Sequence, residues 1–137
     1  MGIAITVLDA DGLRARLPLA PNLNHAETAF GGSIATAGIV ACWALAYALT
    51  REAGLSAKVI VQHSTVEFLR PIVADSEIVC PRPHPDAWSS LTAAFARRGT
   101  GRIDLRAQVL CAGQIAAEYM GIYVAQSGAH SSAAPRP

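Results

Sequence analysis

A chain of 137 residues that is 52% apolar, 15% charged and formally +1 has the makings of one globular domain with its own core, and is not a disordered protein. Eleven Lys and Arg against ten Asp and Glu leave no electrostatic footprint for nucleic acid and no polybasic membrane anchor. The three cysteines, Cys42, Cys80 and Cys111, are odd in number and widely spaced, which argues against a disulfide framework and against a zinc site.

Met1 to Ile5 lack a basic segment leading into a long apolar run, so no secretory signal is expected. The expectation is a cytoplasmic protein with reduced, buried cysteines, no metal and no cofactor. Residues 3–8 predict a strand, and Asp9-Ala10-Asp11-Gly12 a tight turn. Leu13, Ala15 and Leu17 alternate with Arg14 and Arg16, as on a half-buried strand. Pro18 to His25, rich in Pro and Asn, reads as a loop.

From Phe30 through Leu49 no residue is charged. Gly31-Gly32 opens this segment, Ser33 stands at a capping position, and Gly54 is placed to end a helix. Twenty such residues predict a helix about 30 Å long. It is apolar nearly all round, so most of it must be buried. A transmembrane span is the rival reading. The Ala and Gly content, the absence of a flanking Lys/Arg cluster and the strand-like segments that follow disfavour it.

Those segments are Lys58–Leu69, Ser76–Cys80, Ser90–Arg98, and a period-two run in which Ile103, Leu105, Ala107, Val109 and Cys111 alternate with polar residues. Ile115–Ala125 predicts a last strand. Residues 1–125 form the predicted domain, and 126–137, rich in Ser, Ala, Gly and Pro, a disordered tail. The fold class is α+β, with one long helix packed on a strongly curved antiparallel sheet of five to six strands.

The chemistry concentrates in the loop before the helix, Asn22 to Ser33. Gly31 and Gly32 let a ligand approach the backbone. The first N–H groups of a helix lack intrahelical partners and carry the positive end of its dipole. A thioester carbonyl placed there has its developing oxyanion stabilised. His25 is a general-base candidate or a loop-holding residue. Asn24 orients water or carbonyl, or makes an Asx turn. Ser33 and Thr28 are hydrogen-bonding candidates, with N-capping the alternative for Ser33. Phe30 is a pocket wall or core.

Asn24-His25 followed by Thr28-Ala29-Phe30-Gly31-Gly32-Ser33 resembles the loop of hot-dog-fold thioesterases, which carry an Asn and then His-Gly-Gly at the start of the central helix. Here Phe30 stands in place of that His. This variant, the Trp43 helix, and Phe68-Leu69-Arg70-Pro71 followed by Ala74-Asp75 resemble a narrower family, the thioesterase-like domain of the YiiD C-terminal type, over roughly residues 13–125. The resemblance implies a hot-dog fold, in which the sheet wraps one central helix. It also implies hydrolysis of acyl thioesters of coenzyme A or a carrier protein, and pairing as a homodimer or dimer of dimers with sites at the interface.

Many such enzymes place a carboxylate inside the helix. This chain has Thr36-Ala37-Gly38-Ile39-Val40-Ala41 there, and only Thr36 offers an oxygen. The base then comes from His25, Glu27, or a second copy's His63, Ser64 or Glu67. Arg97, Arg98 or Arg102 are candidates to meet coenzyme A phosphates. A non-catalytic thioester-binding module is the second reading, and a hydratase or dehydratase the third.

Overall fold

The computed structural model describes residues 1–128. The elements run β1 (Ala4–Asp9), β2 (Gly12–Leu17), a 3-10 turn (Ala20–Asn22), α1 (Gly31–Glu52), β3 (Ala57–Phe68), β4 (Ser76–Pro81), α2 (Pro85–Arg98), β5 (Thr100–Cys111) and β6 (Gln114–Ser127). Six strands form one antiparallel sheet in the order β1-β2-β4-β5-β6-β3. The strand reading from the period-two pattern holds for β5, whose burial alternates along its length. The predicted tail starts too early, because Gln126 and Ser127 continue β6. Its part beyond residue 128 lies outside the described residues.

Helix α1 packs against β2, β3, β4, β5 and β6. Ile34, Gly38, Cys42 and Ala46 form one buried row, and Ala37, Ala41, Leu45 and Leu49 the adjacent one. Two neighbouring i, i+4 rows make the broad apolar face that a central helix needs. By length and composition α1 is the one helix, among the described residues, able to cross a membrane. Here the sheet covers its apolar rows.

The small residues in those rows let helix and sheet approach closely. A Cβ on Gly38 would lie 2.6 Å from the Tyr119 ring. The Tyr119 hydroxyl bonds that of Tyr123 at 2.8 Å and the Ser64 hydroxyl at 2.8 Å. Tyr123 in turn donates to the Ile39 carbonyl of α1 at 2.8 Å. Burial, the foremost cause, pushes both phenols above their ordinary range, so they stay protonated. Beside them the buried thiols of Cys42 and Cys80 touch at 3.3 Å, joining α1 to β4. That contact, and then burial, raises the Cys42 thiol. All three cysteines are free and buried.

One predicted strand is a helix. Residues 90–98 belong to α2, so the described residues hold two α-helices. Its start signals lie in the proline-rich stretch that reads as a rigid turn. Pro85 opens the helix, where a missing N–H costs nothing. The His84 imidazole accepts from the Asp86 amide at 3.1 Å, and Asp86 complements the dipole. Gly99 ends it in the left-handed conformation, φ 72°. Buried Leu91 and Ala94, with half-buried Trp88 and Phe95, recur at helical rather than strand spacing.

Candidate functional site

The loop before α1 is closed by a bridge between Leu23 and Ala29. Asn24 organises it. Its side-chain oxygen accepts from the amides of Ala26 (2.9 Å) and Thr28 (3.1 Å), and its Nδ2 donates to the Thr28 hydroxyl at 2.9 Å. Glu27 takes a left-handed conformation, φ 62°, to complete the turn. Asn24 is therefore the Asx-turn residue of the loop, and Thr28 is its partner. Asn24→Ala removes three bonds from this loop, and a stability loss of about 1–3 kcal/mol is expected in denaturant titration. Unchanged stability would mean that the loop is held elsewhere.

Two further bonds seat the loop. Ala29 donates to the Ile72 carbonyl at 2.8 Å, and Phe30 to the Asn22 carbonyl at 2.6 Å. Asn22 is buried, and its amide donates to the Met1 and Pro18 carbonyls. The sequence reading passed over Asn22 as one more loop polar residue. A short polar side chain between Pro21 and Leu23, before an apolar segment, was the available signal. His25 lies at the exposed tip, and its imidazole has no hydrogen-bond partner among the described residues. It does not hold the loop.

At the start of α1 the capping expectation changes. Phe30, not Ser33, is the N-cap, and no side chain caps the helix. The Ser33 and Ile34 amides already bond the Phe30 carbonyl, at 3.0 and 3.2 Å. The Gly31 and Gly32 amides have no partner among the described residues. The free donors are thus the amides of Gly31 and Gly32, and that of Ser33, the expected capping residue, is not among them. Thr36 turns its hydroxyl back onto the Gly32 carbonyl at 2.8 Å.

Aromatic rings flank these amides. A Cβ on Gly31 would contact the Phe68 ring at 3.5 Å, and one on Gly32 would collide with the Phe30 ring. Phe30 is 57% exposed, Phe68 55% and Val73 63%. Phe30 is therefore not core. Leu23 and Leu69 are exposed as well. Exposed apolar side chains gathered around unpaired donors are what an acyl ligand requires.

The second-copy candidates separate by face. Ser64 meets Tyr119 on the helix side of β3. His63, Thr65 and Glu67 pair with Ile122, Met120 and Glu118, on the opposite side. The reason is a bulge between Val61 and His63, which shifts the alternation. Thr65 and Glu67, but not His63, line a pocket of about 660 Å³ on the far side of the sheet from α1, with Glu118, Met120, Arg106 and Gln108. Arg97 and Arg98 close α2, immediately before Thr100, which pairs with Gln126. Phe68 pairs with Ala117, at the other end of β6. The arginines therefore stand at the opposite end of the sheet from Gly31. Among the described residues no group of three or more His, Cys, Asp or Glu is placed to hold a metal ion.

Solved structures share this architecture. A protein of unknown function from Chlorobaculum tepidum TLS superposes with a TM-score of 0.90 at 27% identity, over 93% of this chain and 84% of that one. A "putative thioesterase" from Shewanella oneidensis gives 0.81 at 24% identity, over 92% and 85%. A mutant thioesterase from Pseudomonas aeruginosa gives 0.72 at 12% identity, over 91% and 81%. The fold is that of the hot-dog thioesterases. No curated protein matches the chain. Residues 1–127 match the family described as "Putative thioesterase (yiiD_Cterm)", a span that takes in β1 as well as the helix and its loop. With the glycine-opened central helix, the Asn24 loop and the wrapped sheet all inside that match, the chain belongs to the thioesterase family of the YiiD C-terminal type.

Proposed function

We propose that the protein hydrolyses acyl thioesters at the N-terminus of α1, in the cytoplasm, as a homodimer. One observation carries the reading: two unpaired amides, Gly31 and Gly32, open onto an apolar wall of Phe30 and Phe68. Water attacks the thioester carbon directly. The oxyanion is held by the two amides, and collapse expels the thiolate, giving a carboxylic acid and a free thiol. His25, exposed to solvent, takes the proton from water and returns it to the expelled thiolate. The acyl chain lies against the phenylalanine wall. Three free, buried cysteines suit a reducing compartment.

Dimerisation is supported by β3. Among the described residues it ends the sheet, pairs only with β6, and exposes Ile60 and Val61. A twelve-residue edge strand with an apolar surface invites a second strand. The half-exposed Trp43 and Tyr47 of α1 stack beside it, 5.3 Å apart, and the Trp43 indole donates to the Val59 carbonyl of β3.

A second reading, a non-catalytic thioester binder, is favoured by a specific feature. Helix α1 carries no carboxylate before Glu52, and Asn24 spends its polar atoms within its own loop. Acyl-coenzyme A esters of varied chain length, with thiol release followed, decide between them. Turnover that disappears in His25→Ala is expected, from a protein that light scattering sizes as a dimer or larger. Binding without turnover would establish the module, and a monomer at micromolar concentration would refute the pairing.

A further inference from the structure

A run of hydrogen bonds ties the start of α1 to the sheet. Phe30, the N-cap, accepts from the Ser33 and Ile34 amides and donates its own N–H to the Asn22 carbonyl at 2.6 Å. Asn22 donates its N–H to the Leu19 carbonyl at 2.8 Å. Leu19 donates its N–H to Oδ1 of Asp75 at 2.8 Å. Leu19, Asn22 and Phe30 therefore link the Asp75 carboxylate to the helix terminus, each accepting through its carbonyl and donating through its amide. Asn22 is held sideways as well, by its side-chain bonds to the Met1 and Pro18 carbonyls.

The two ends of this run differ in rigidity. Asp75 directly precedes β4, whose first residue, Ser76, pairs with Leu17 of β2. Its Oδ2 accepts from the Arg16 guanidinium, also on β2. The carboxylate is thus fixed to two neighbouring strands. The Leu19 N–H, and then Arg16, hold its carboxyl below the usual carboxylate range, so the bond to Leu19 is charge-assisted at neutral pH. The loop from Pro18 to Phe30 has only a 3-10 turn and the Leu23–Ala29 bridge of its own. It takes its position from the connection between β3 and β4, which grips it at Leu19 through Asp75 and at Ala29 through the Ile72 carbonyl.

The Gly31 N–H shares a rigid trans peptide plane with the Phe30 carbonyl and points the opposite way. Whatever orients that carbonyl therefore aims the free N–H. Resting on the thioester reading above, we infer that Asp75 is a positioning residue: through Leu19, Asn22 and Phe30 it sets the direction in which the Gly31 and Gly32 amides meet the oxyanion, without touching the substrate. Oxyanion donors act over a narrow range of distance, and a shift of about 1 Å caused far from the chemistry can lower the rate about 100-fold.

Variants at Asp75 and Arg16 isolate the Leu19 bond. Asp75→Ala removes both bonds of the carboxylate. Asp75→Asn keeps a carbonyl oxygen for the Leu19 N–H and gives up the ion pair. Arg16→Gln removes the ion pair alone. Both residues are exposed, so no variant opens a cavity in the core. On one acyl-coenzyme A ester, Asp75→Ala is expected to lower kcat about 10- to 100-fold, with KM moving less than about threefold. Asp75→Asn should recover kcat to within about threefold of the parent, and Arg16→Gln should match the parent. A loss in Arg16→Gln equal to that in Asp75→Ala would overturn the inference, because the ion pair would then be responsible. A second readout needs no turnover. In amide correlation spectra recorded by NMR, the Gly31 and Gly32 resonances should move in Asp75→Ala and hold their places in Arg16→Gln. Unmoved glycine resonances in Asp75→Ala would overturn the positioning role. Glycine resonances that move as expected, in a parent protein that releases no thiol from any ester, would sink hydrolysis and leave the role of Asp75 standing.

Discussion

Gly31→Pro is expected to lower kcat for thioester hydrolysis about 100- to 1000-fold, the usual cost of one oxyanion donor, while the protein remains folded. The substitution deletes a single N–H that bonds nothing in the chain. Proline is tolerated at the first position of a helix, since that amide has no intrahelical partner. Phe30 already has φ −62° and ψ 131°, the conformation that a residue before proline must adopt. The space is open too: the nearest Phe68 ring atom would be 3.5 Å from an added Cβ. Gly31→Ala fills the same space and keeps the donor, so it separates crowding from loss of the hydrogen bond. Steady-state kinetics on one acyl-coenzyme A ester, with circular dichroism to check helix content, suffices. If proline and alanine reduce kcat equally, the Gly31 amide does not hold the oxyanion.

The largest effect on stability is expected at Gly38→Val. A Cβ there would lie 2.6–2.9 Å from three atoms of Tyr119, far inside contact distance. Neither side can yield cheaply. Gly38 is buried within one of the two apolar rows of α1. The Tyr119 ring is fixed at its far end by the Ser64 and Tyr123 hydroxyls, and Tyr123 is fixed by the Ile39 carbonyl. Overpacking a core costs 1–3 kcal/mol and sometimes more; about 3 kcal/mol, or a fall in Tm of roughly 10 °C, is expected here. Thermal unfolding followed by circular dichroism measures it. A variant melting within 2 °C of the parent would mean that α1 does not rest on Tyr119.

Helix α1, the hairpin at Gly12 and the alternation of β5 were legible in the sequence, because each is a local pattern whose period matches its structure. Two features were not. Helix α2 was hidden because Ala, Phe, Leu and Thr serve either element, and the deciding signals, Pro85 and Asp86, sit in a proline cluster that looks like a turn. The side of the sheet on which His63, Thr65 and Glu67 lie was hidden for a different reason. Counting by twos from Val59 puts His63, Thr65 and Glu67 toward the helix. The bulge at Gln62 turns them outward, and no residue preference announces it.

The site was legible by residue but not by role. Asn24 stood out, yet whether an amide reaches a substrate or its own loop depends on backbone angles that residue types do not encode. Ser33 does not cap the helix because the cap lies at Phe30, a residue with no capping side chain, and this leaves Gly31 and Gly32 as the free donors. Arg97 and Arg98 stood out as phosphate candidates by residue type alone. Their distance from Gly31 follows from the strand order, which is a property of the whole sheet.

The Trp43 contact with β3 also gives the molecule an optical reporter. The chain holds two tryptophans, Trp43 and Trp88. Trp43 is 39% exposed, with its indole nitrogen on the Val59 carbonyl beside the open edge, whereas Trp88, within α2, packs against the core. Closing that edge with a second strand dries the surroundings of one indole and leaves the other alone. Dilution through the association range should therefore shift the emission of Trp43 to longer wavelength without any label, and Trp43→Phe should abolish the shift.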